Sequence, residues 1–349
     1  MQESKSIDEK RSTIPPIDDS WTKHLSKTFK KFWNLPVCIG LIENEDLTPT
    51  QTMKIPIPSP NFLIFLAVVS LSSLWASTSF SQQSIVFPPI GACNGLKDAN
   101  LLENAGFAFA EEGVANFLYM DLSESKFDSL LMAGEKPILP VQALIYFLPG
   151  RLKSVGAEAD HVGILAYAET VFRRAQKRGV GMVVFGSGGS RRIPDGFSYE
   201  IAWKQMRELC ARLAPMAAKH QVVLVLESLN SKECNFITTL AEAGKMVEEI
   251  NHPNFRLLAD LYHMKKENEG PESIRQYGRL IRHVHIAERE GRAAPGKHGE
   301  DFVPYFEALQ ETGYKGGISL ENNWVDMPSE APLAVRAIQG QWLEAGQSK

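Results

Sequence analysis

Apolar and polar residues are arranged in alternating short and long runs from about residue 85 to the C-terminal region. The longer runs carry apolar residues at three- and four-residue spacing, which predicts amphipathic helices at 160–178, 199–219 and 238–250. Asp160 and Thr238 stand where N-caps belong, and Gly179 directly follows a predicted helix end. The short β-branched or apolar runs predict eight strands, near 86–91, 114–120, 138–144, 180–185, 222–227, 256–260, 282–287 and 317–321.

Strict alternation of strand and helix indicates a parallel sheet, because each parallel crossover places a helix over the sheet face. Eight such units in the 268 residues from 82 to 349 fit a (β/α)₈ TIM barrel, whose typical length is about 250 residues. A doubly wound open sheet is the structural alternative. That fold usually carries a Gly-rich phosphate turn after its first strand, and the segment GACNGL at 91–96 lacks this form.

The segment from residue 53 to residue 81 has a different pattern. Met53 and Lys54 precede an apolar run from 62 to 76, and small residues follow up to Ser81. These features predict a secretory signal peptide cleaved near Ser81, with export to the periplasm or the medium. The run is short for a membrane anchor, which needs about 20 apolar residues. Since signal peptides begin at the true N-terminus, we expect residues 1–52 to be a non-native, disordered upstream extension.

Charge and cysteine content narrow the classes of partner. The net charge is −4, and no run of Lys and Arg is interleaved with aromatic residues, so a nucleic-acid surface is not expected. Cys93, Cys210 and Cys234 follow the predicted signal peptide and allow at most one disulfide. A small neutral or anionic metabolite is the expected ligand, and no stable membrane anchor is expected.

Four of the predicted strands end in or near a side chain that binds metal ions in other proteins. Glu227 closes VVLVLE, Asp260 closes RLLAD, His285 lies in RHVHIA and Glu321 closes GISLE. Their separations of 33, 25 and 36 residues each correspond to about one strand–helix unit. Because the C-terminal strand ends of a TIM barrel meet at one rim, we expect the four side chains to converge there. We call these four residues the rim quartet.

The rim quartet offers three carboxylates and one imidazole. A carboxylate at the end of an apolar strand is costly to desolvate unless it is paired or bound to a cation. This ligand set suits Mn²⁺ or Mg²⁺, with Co²⁺ as an alternative, and differs from a closed structural zinc site. Each residue alone reads equally well as a solvated strand-end residue, but the shared spacing favours one divalent-metal site.

Four segments resemble the motifs of the xylose-isomerase-like TIM barrels, especially the hydroxypyruvate isomerase and ketose 3-epimerase branch: LESLN at 226–230, ADLYHM at 259–264, HVHIAEREGRAAPG at 283–296 and SLENN at 319–323. The resemblance implies that the rim quartet binds the metal and that Glu227 and Glu321 are also the catalytic acid/base pair. It further implies that His263 and Arg292 bind substrate oxygens. The position of His263 just beyond a strand end, and the fork of donors on Arg292, suit these roles.

Other residues carry weaker signals. Arg289 competes with Arg292, and His283 shares its strand face with His285 but reads better as a packed, hydrogen-bonded histidine. Trp324 suits either a pocket wall or the core. The Gly-rich segment FGSGGSRRIPDG at 185–196 suggests a substrate-side loop and, less strongly, a phosphate-binding loop, although it lacks the Lys and Ser/Thr of a P-loop.

The rim quartet and the family resemblance together predict a metal-dependent isomerase or epimerase that acts on a small sugar or keto-sugar. A base removes the proton next to a carbonyl, the cation stabilises the enediolate, and proton return to the same or the neighbouring carbon decides the product. The alternative is a lyase that cleaves 3-keto-glycosides by β-elimination at the same site, which export favours. A multi-zinc endonuclease would need histidines at the ends of strands two and three, where we expect LYMDLS and VQALIY. A sugar-binding barrel without catalysis is the remaining option.

Overall fold

A computed structural model describes residues 87–134 and 137–347, so the predicted signal peptide and upstream extension lie outside the described residues. Eight parallel strands close into one barrel in sequence order, with the eighth paired to the first. This architecture confirms the predicted (β/α)₈ TIM barrel. The strands are β1 (Ile90–Cys93), β2 (Phe109–Gly113), β3 (Val141–Ile145), β4 (Met182–Phe185), β5 (Val223–Glu227), β6 (Phe255–Asp260), β7 (Ile281–Ile286) and β8 (Ile318–Leu320).

Helices follow the strands and cover the outside of the barrel. The predicted N-cap at Asp160 is confirmed, because its carboxylate accepts a hydrogen bond from the Gly163 amide at 2.8 Å. The predicted cap at Thr238 is one residue early, since Thr239 holds that position. The helices are α1 (Ala99–Ala105), α2 (Val114–Phe117), α3 (Glu124–Ala133), α4 (His161–Lys177), α5 (Gly188–Arg191), α6 (Tyr199–Lys219), α7 (Leu240–Ile250), α8 (Leu261–Lys266), α9 (Glu272–Tyr277), α10 (Val303–Glu311) and α11 (Met327–Gln347).

The prediction for the second strand is wrong. The strand lies at β2, five residues before the predicted 114–120, and the predicted segment begins with the short helix α2. Val114 and Leu118 are buried there, so their apolar character reflects packing against the barrel. A short apolar run does not distinguish a buried strand from a buried helix. The consecutive acids Glu111 and Glu112 gave the true strand a polar appearance.

The inside of the barrel is filled by side chains that alternate with outward-facing ones. A small apolar cluster of Ala143, Ile145, Val184, Val225 and Leu258 occupies one part of this interior. Within the described residues, no helix is both long enough and apolar enough to span a lipid bilayer.

The lower part of the barrel contains the ring of Phe109, which is fully buried on β2. A Cβ atom at Gly91 on β1 would lie 2.1 Å from this ring, and one at Gly317 would lie 2.8 Å from it. β1 and the residue directly before β8 therefore carry glycine where the aromatic ring needs room. Because side chains two residues apart on a strand share a face, the packing of Phe109 also fixes the inward direction of Glu111.

We expect Gly91→Ala to lower the free energy of unfolding by about 1–3 kcal/mol, because an added methyl group overpacks a closed interior. Gly340→Ala is the matched control: this exposed residue in α11 has open space around its Cβ position. The control should gain about 0.5–1 kcal/mol from helix propensity. Denaturant unfolding measures both, and equal stabilities for the two variants would contradict this packing account.

Candidate functional site

The structure brings the whole rim quartet together at the C-terminal mouth of the barrel. Glu227 and Asp260 are the last residues of β5 and β6, His285 is the penultimate residue of β7, and Glu321 directly follows β8. One ligand atom from each residue lies within 4.8 Å of the others. The Glu321 side chain is 18% exposed, whereas the other three are buried. Parallel strands of one barrel thus produce the convergence that their sequence spacing predicts.

His285 lies at the centre of this group. Its Nδ1 atom is 3.2 Å from Glu227 Oε1, 3.2 Å from Glu321 Oε2 and 4.0 Å from Asp260 Oδ2. Asp260 Oδ2 is buried and has no hydrogen-bond partner, although its sister atom Oδ1 accepts from the His263 amide. A buried carboxylate oxygen without a partner is costly. Three hard oxygen ligands and one imidazole, with one oxygen unsatisfied, fit a divalent cation among these four side chains.

The charges in and around the quartet shift the pKa values of its members. Burial raises the pKa of Glu227, and the negative charges of Glu321 and Asp260 raise it further against the hydrogen bond from His285. Burial alone would lower the pKa of His285, but the carboxylate of Glu111 beside it holds this pKa well above its ordinary value. Without a cation, the imidazole ring therefore supplies the positive charge that the carboxylates require.

His263 faces the same cavity from the first turn of α8. Its Nδ1 atom accepts a hydrogen bond from the backbone amide of Asn230 at 3.2 Å, so its proton belongs on Nε2. That Nε2 atom lies 3.6 Å from Asp260 Oδ2. The neighbouring loop therefore fixes the tautomer of His263 and directs an N–H donor towards the quartet.

Arg292 lies across the mouth of the site and already has protein partners. Its Nη2 atom is 2.8 Å from Glu321 Oε2, its Nε donates to the Glu321 carbonyl at 2.9 Å, and its Nη1 is 3.5 Å from Glu233 Oε1. Its guanidinium also stacks on the Tyr262 ring, at 4.6 Å from the centroid. With φ of 52°, its backbone adopts a left-handed conformation that is uncommon for an arginine. Arg292 thus orients Glu321 besides facing the cavity.

A cavity of about 220 Å³ opens above the quartet. Its wall combines apolar side chains with polar groups and the backbone of the loop after β4. It is lined by Ile145, Tyr146, Val184, Gly186, Ser187, Gly188, Glu227, Leu229, Glu233, His263, His285, Arg292 and Glu321. The cavity is large enough for one small polar ligand.

Glycine at position 186 is required by the approach of Glu227. A Cβ atom there would lie 2.1 Å from Glu227 Oε2. Gly186, Ser187 and Gly188 all line the cavity, which supports the prediction of a substrate-side loop. The two arginines of the segment do not line it: Arg191 is buried, and Arg192 donates to the Glu233 carbonyl at 2.7 Å. A phosphate-binding role for this loop therefore has no support.

The weaker single-residue candidates from the sequence all lie outside the lining of the large cavity. Arg289 is exposed and lies beside a different, smaller cavity with Glu288 and His298. Trp324 packs against the main core and does not line the large cavity. His283 is buried and hydrogen-bonded, as predicted, with Nε2 lying 2.5 Å from Glu111 Oε1.

Two acidic residues at the site, Glu233 and Glu111, were not predicted from the sequence. Glu233 lines the cavity six residues after Glu227, in a loop that the sequence did not mark. Glu111 is fully buried beneath the quartet, and its Oε2 atom lies 3.1 Å from His285 Nε2. A signal for Glu111 was present, because FAFAE at 107–111 is an apolar run closed by an acid, like VVLVLE. It was overlooked because the second strand was predicted at 114–120, beyond Glu111.

A second group of side chains also has metal-binding potential. Cys93, Glu111 and His285 offer ligand atoms within 4.8 Å of one another. Burial raises the pKa of the Cys93 thiol well above its usual range, and the Glu111 carboxylate adds to this effect. In the metal-free protein the thiol is therefore protonated near neutral pH, and a cation bound there would have to displace this proton.

Comparisons with known proteins identify the family and the fold of this chain. Residues 100–345 match the family model for the xylose isomerase-like TIM barrel. L-ribulose 3-epimerase of Methylomonas sp. is 36% identical over 112 residues, which are 32% of this chain and 39% of that protein. A putative human hydroxypyruvate isomerase is 29% identical over 139 residues, covering 37% of this chain and 50% of that protein. The chain thus matches half or less of the length of these curated relatives.

Solved structures support the fold. The structure of 3-keto-D-glucoside 4-epimerase from E. coli superposes with a TM-score of 0.61 and 21% identity, over 73% of this chain and 100% of the other. At this identity the match concerns the fold alone. The family match spans most of the barrel, so the chain belongs to the xylose isomerase-like TIM barrel family, and the curated relatives that it matches are named as sugar epimerases and isomerases.

We expect the apparent affinity for Mn²⁺ to rise as the pH increases from about 6 to about 8. A metal ligand must be deprotonated, and the pKa of metal-free His285 is well above its ordinary value of about 6.5. Protons therefore compete with the cation at the lower pH values. Isothermal titration in buffers of different ionisation enthalpy should show proton release on binding. Affinity and heat that depend on neither pH nor buffer would contradict this protonation state.

Proposed function

We propose that this chain is a metal-dependent sugar isomerase or epimerase that moves a proton at the carbon next to a carbonyl group. One observation carries the proposal. Two carboxylates, Glu227 and Glu321, each lie 3.2 Å from His285 Nδ1 at the base of a sugar-sized cavity, beside the unpartnered oxygen of Asp260. This arrangement joins a divalent-cation site to two groups that can exchange protons.

The rim quartet would hold the cation. When bound, a divalent cation acts as a Lewis acid that stabilises negative charge developing on a substrate oxygen. Mn²⁺ or Mg²⁺ suits the three carboxylates, and Co²⁺ is the alternative. Proton transfer and substrate binding would be carried out by the protein's own side chains.

Glu227 and Glu321 are the proposed acid/base pair. In the metal-free site, burial and the adjacent negative charges raise the pKa of Glu227, and a bound cation would oppose this shift. The contacts with Arg292 hold the Glu321 carboxylate in one orientation. Removal and return of the proton on opposite faces of one carbon gives an epimer, and return to the neighbouring carbon gives an aldose–ketose isomer.

His263 and Arg292 are the proposed substrate-binding residues. The Nε2–H group of His263 can donate to a hydroxyl or carbonyl oxygen, because Asn230 occupies the other ring nitrogen. Arg292 is 20% exposed and retains donors at the cavity mouth while it orients Glu321. Since its charge is already opposed by Glu321, Asp260 and Glu233, the site favours an uncharged sugar over a phosphorylated one.

The alternative reaction is elimination from a 3-keto-glycoside. It begins with the same proton abstraction but ends with loss of the substituent on the next carbon, which makes the chain a lyase. An exported enzyme would encounter glycosides, and export remains a prediction from residues 53–81. N-terminal sequencing of the native protein tests it: a mature start near Gln82 is expected, and a start near Met1 would contradict it.

A screen of free ketoses and 3-keto-glycosides in D₂O, followed by NMR, tests the reaction. We expect deuterium at the carbon next to the carbonyl together with an epimer or isomer, loss of both with EDTA, and recovery with Mn²⁺ or Co²⁺. Release of an aglycone would assign the lyase instead. Deuterium exchange that persists after complete metal removal would overturn the proposed function.

Glu321→Gln should retain part of the metal affinity and lower kcat by at least about 100-fold, because an amide does not accept the proton. Glu290→Gln is the matched control, since this exposed residue lies on the same face but outside the large cavity. It should keep the kcat of the native protein. Full turnover by Glu321→Gln would remove Glu321 from the acid/base pair.

A further inference from the structure

Glu111 is a buried carboxylate that the proposed reaction does not use. It lies on β2, on the strand face that points into the barrel, and its side chain has no exposed surface. Both histidines of β7 and the hydroxyl of Ser319 on β8 surround it. An ionised carboxylate at such a depth requires an array of hydrogen-bond donors.

The two oxygens of Glu111 divide these donors between them. Oε1 accepts from Ser319 and lies 2.5 Å from His283 Nε2, whereas Oε2 lies 3.1 Å from His285 Nε2. The rings of His283 and His285 stand almost perpendicular, at 85° with centroids 5.3 Å apart. Each ring therefore addresses its own oxygen, and the carboxylate cannot rotate without losing contacts on both sides.

An ionised carboxylate only accepts hydrogen bonds, so His285 must carry its proton on the Nε2 atom that faces Glu111. Three donors, from His283, His285 and Ser319, meet the two oxygens of this carboxylate, and an ionised carboxylate is the form that accepts from all of them. In the cation-bound protein the ring would be neutral, and its Nδ1 lone pair would face the opposite side, where Glu227, Glu321 and Asp260 lie.

We propose that Glu111 is the positioning residue of the metal site: it holds the proton of His285 on Nε2 and fixes the ring so that Nδ1 faces the cation. The inference rests on the proposed function, because it assumes a cation in the rim quartet. Outer carboxylates that accept from a metal-bound histidine typically strengthen metal affinity by about 10- to 100-fold.

The surrounding packing supports this role for Glu111. The Phe109 ring lies two residues before it on the same strand face and approaches His283 edge-on, with centroids 6.0 Å apart. Glycines at 91 and 317 give this ring its place. The barrel interior therefore holds Glu111 and His283 together from below. As a result, β2 and β8 help to set the orientation of His285, which lies on β7.

Glu111→Gln tests the proposal, since the amide keeps the size of the side chain but loses the charge and one acceptor. We expect the Mn²⁺ dissociation constant to rise about 10- to 100-fold. In the Mg²⁺-loaded protein, the NMR signal of the His285 Nε2 proton should move upfield, because its acceptor is no longer ionised. Glu112→Gln is the matched control, since this half-buried neighbour accepts from the Leu96 amide, away from the site. It should leave both values unchanged.

The two readouts separate the possible failures. A native protein that binds no Mn²⁺ would defeat the proposed function, whereas native binding with equal affinity in Glu111→Gln would defeat this inference alone. If Glu111→Gln does not fold, Glu111→Asp is tested instead. Aspartate keeps the charge, but its shorter side chain moves the oxygens away from the two histidines. We expect an affinity loss of about 10-fold for this variant, and unchanged affinity would overturn the positioning role.

Cys93→Ser distinguishes positioning by Glu111 from direct binding to the metal. Cys93, Glu111 and His285 form the second group with metal-binding potential. We expect Cys93→Ser to keep the metal affinity of the native protein and the Co²⁺-loaded native protein to show no thiolate-to-cobalt charge-transfer band. Such a band, together with weaker binding in Cys93→Ser, would place the ion on Glu111 itself and overturn the inference.

Discussion

Electrostatic repulsion among carboxylates at the barrel mouth is the constraint on which the site depends. Glu227, Asp260 and Glu321 meet around one nitrogen of His285, and Glu111 approaches the other. Buried negative charges at such distances are unfavourable unless positive charge lies among them. Arg292 opposes part of this charge from above, and the rest is opposed either by the protonated imidazole or by a divalent cation that displaces its proton. Each of these charged groups is stable at the barrel mouth only because the others are present.

The TIM barrel satisfies this constraint by dividing the charged groups among different strands. β5, β6 and β7 and the residue after β8 bring one side chain each to the rim, while β2 supplies Glu111 at a lower level. The loop after β7 then returns Arg292 over the mouth, with its backbone in a left-handed conformation. Such strain is typical of sites where the surrounding structure fixes a functional side chain. The contacts of Arg292 with Glu321 and Glu233 hold its guanidinium in this position.

Sequence reasoning succeeded where one pattern was strong and local. Glu227, Asp260 and Glu321 each close an apolar run, and closure of a parallel barrel brings such ends together whatever the loops do. It was wrong for the second strand, because the interior carboxylate Glu111 makes β2 look polar while α2 looks like a strand. The partners of Arg292 were also beyond sequence reasoning. Its contacts with Glu321 and Glu233 depend on the course of two loops that no periodicity encodes.

Crystallography with anomalous scattering from Mn²⁺ can show whether the four rim residues form one cation site around His285 Nδ1. We expect one anomalous peak, bonded to Glu227, Asp260, His285 Nδ1 and Glu321, with Glu111 still hydrogen-bonded to Nε2. The absence of a peak there in Mn²⁺-soaked crystals, or a peak bonded to Cys93, Glu111 and Nε2, would contradict it.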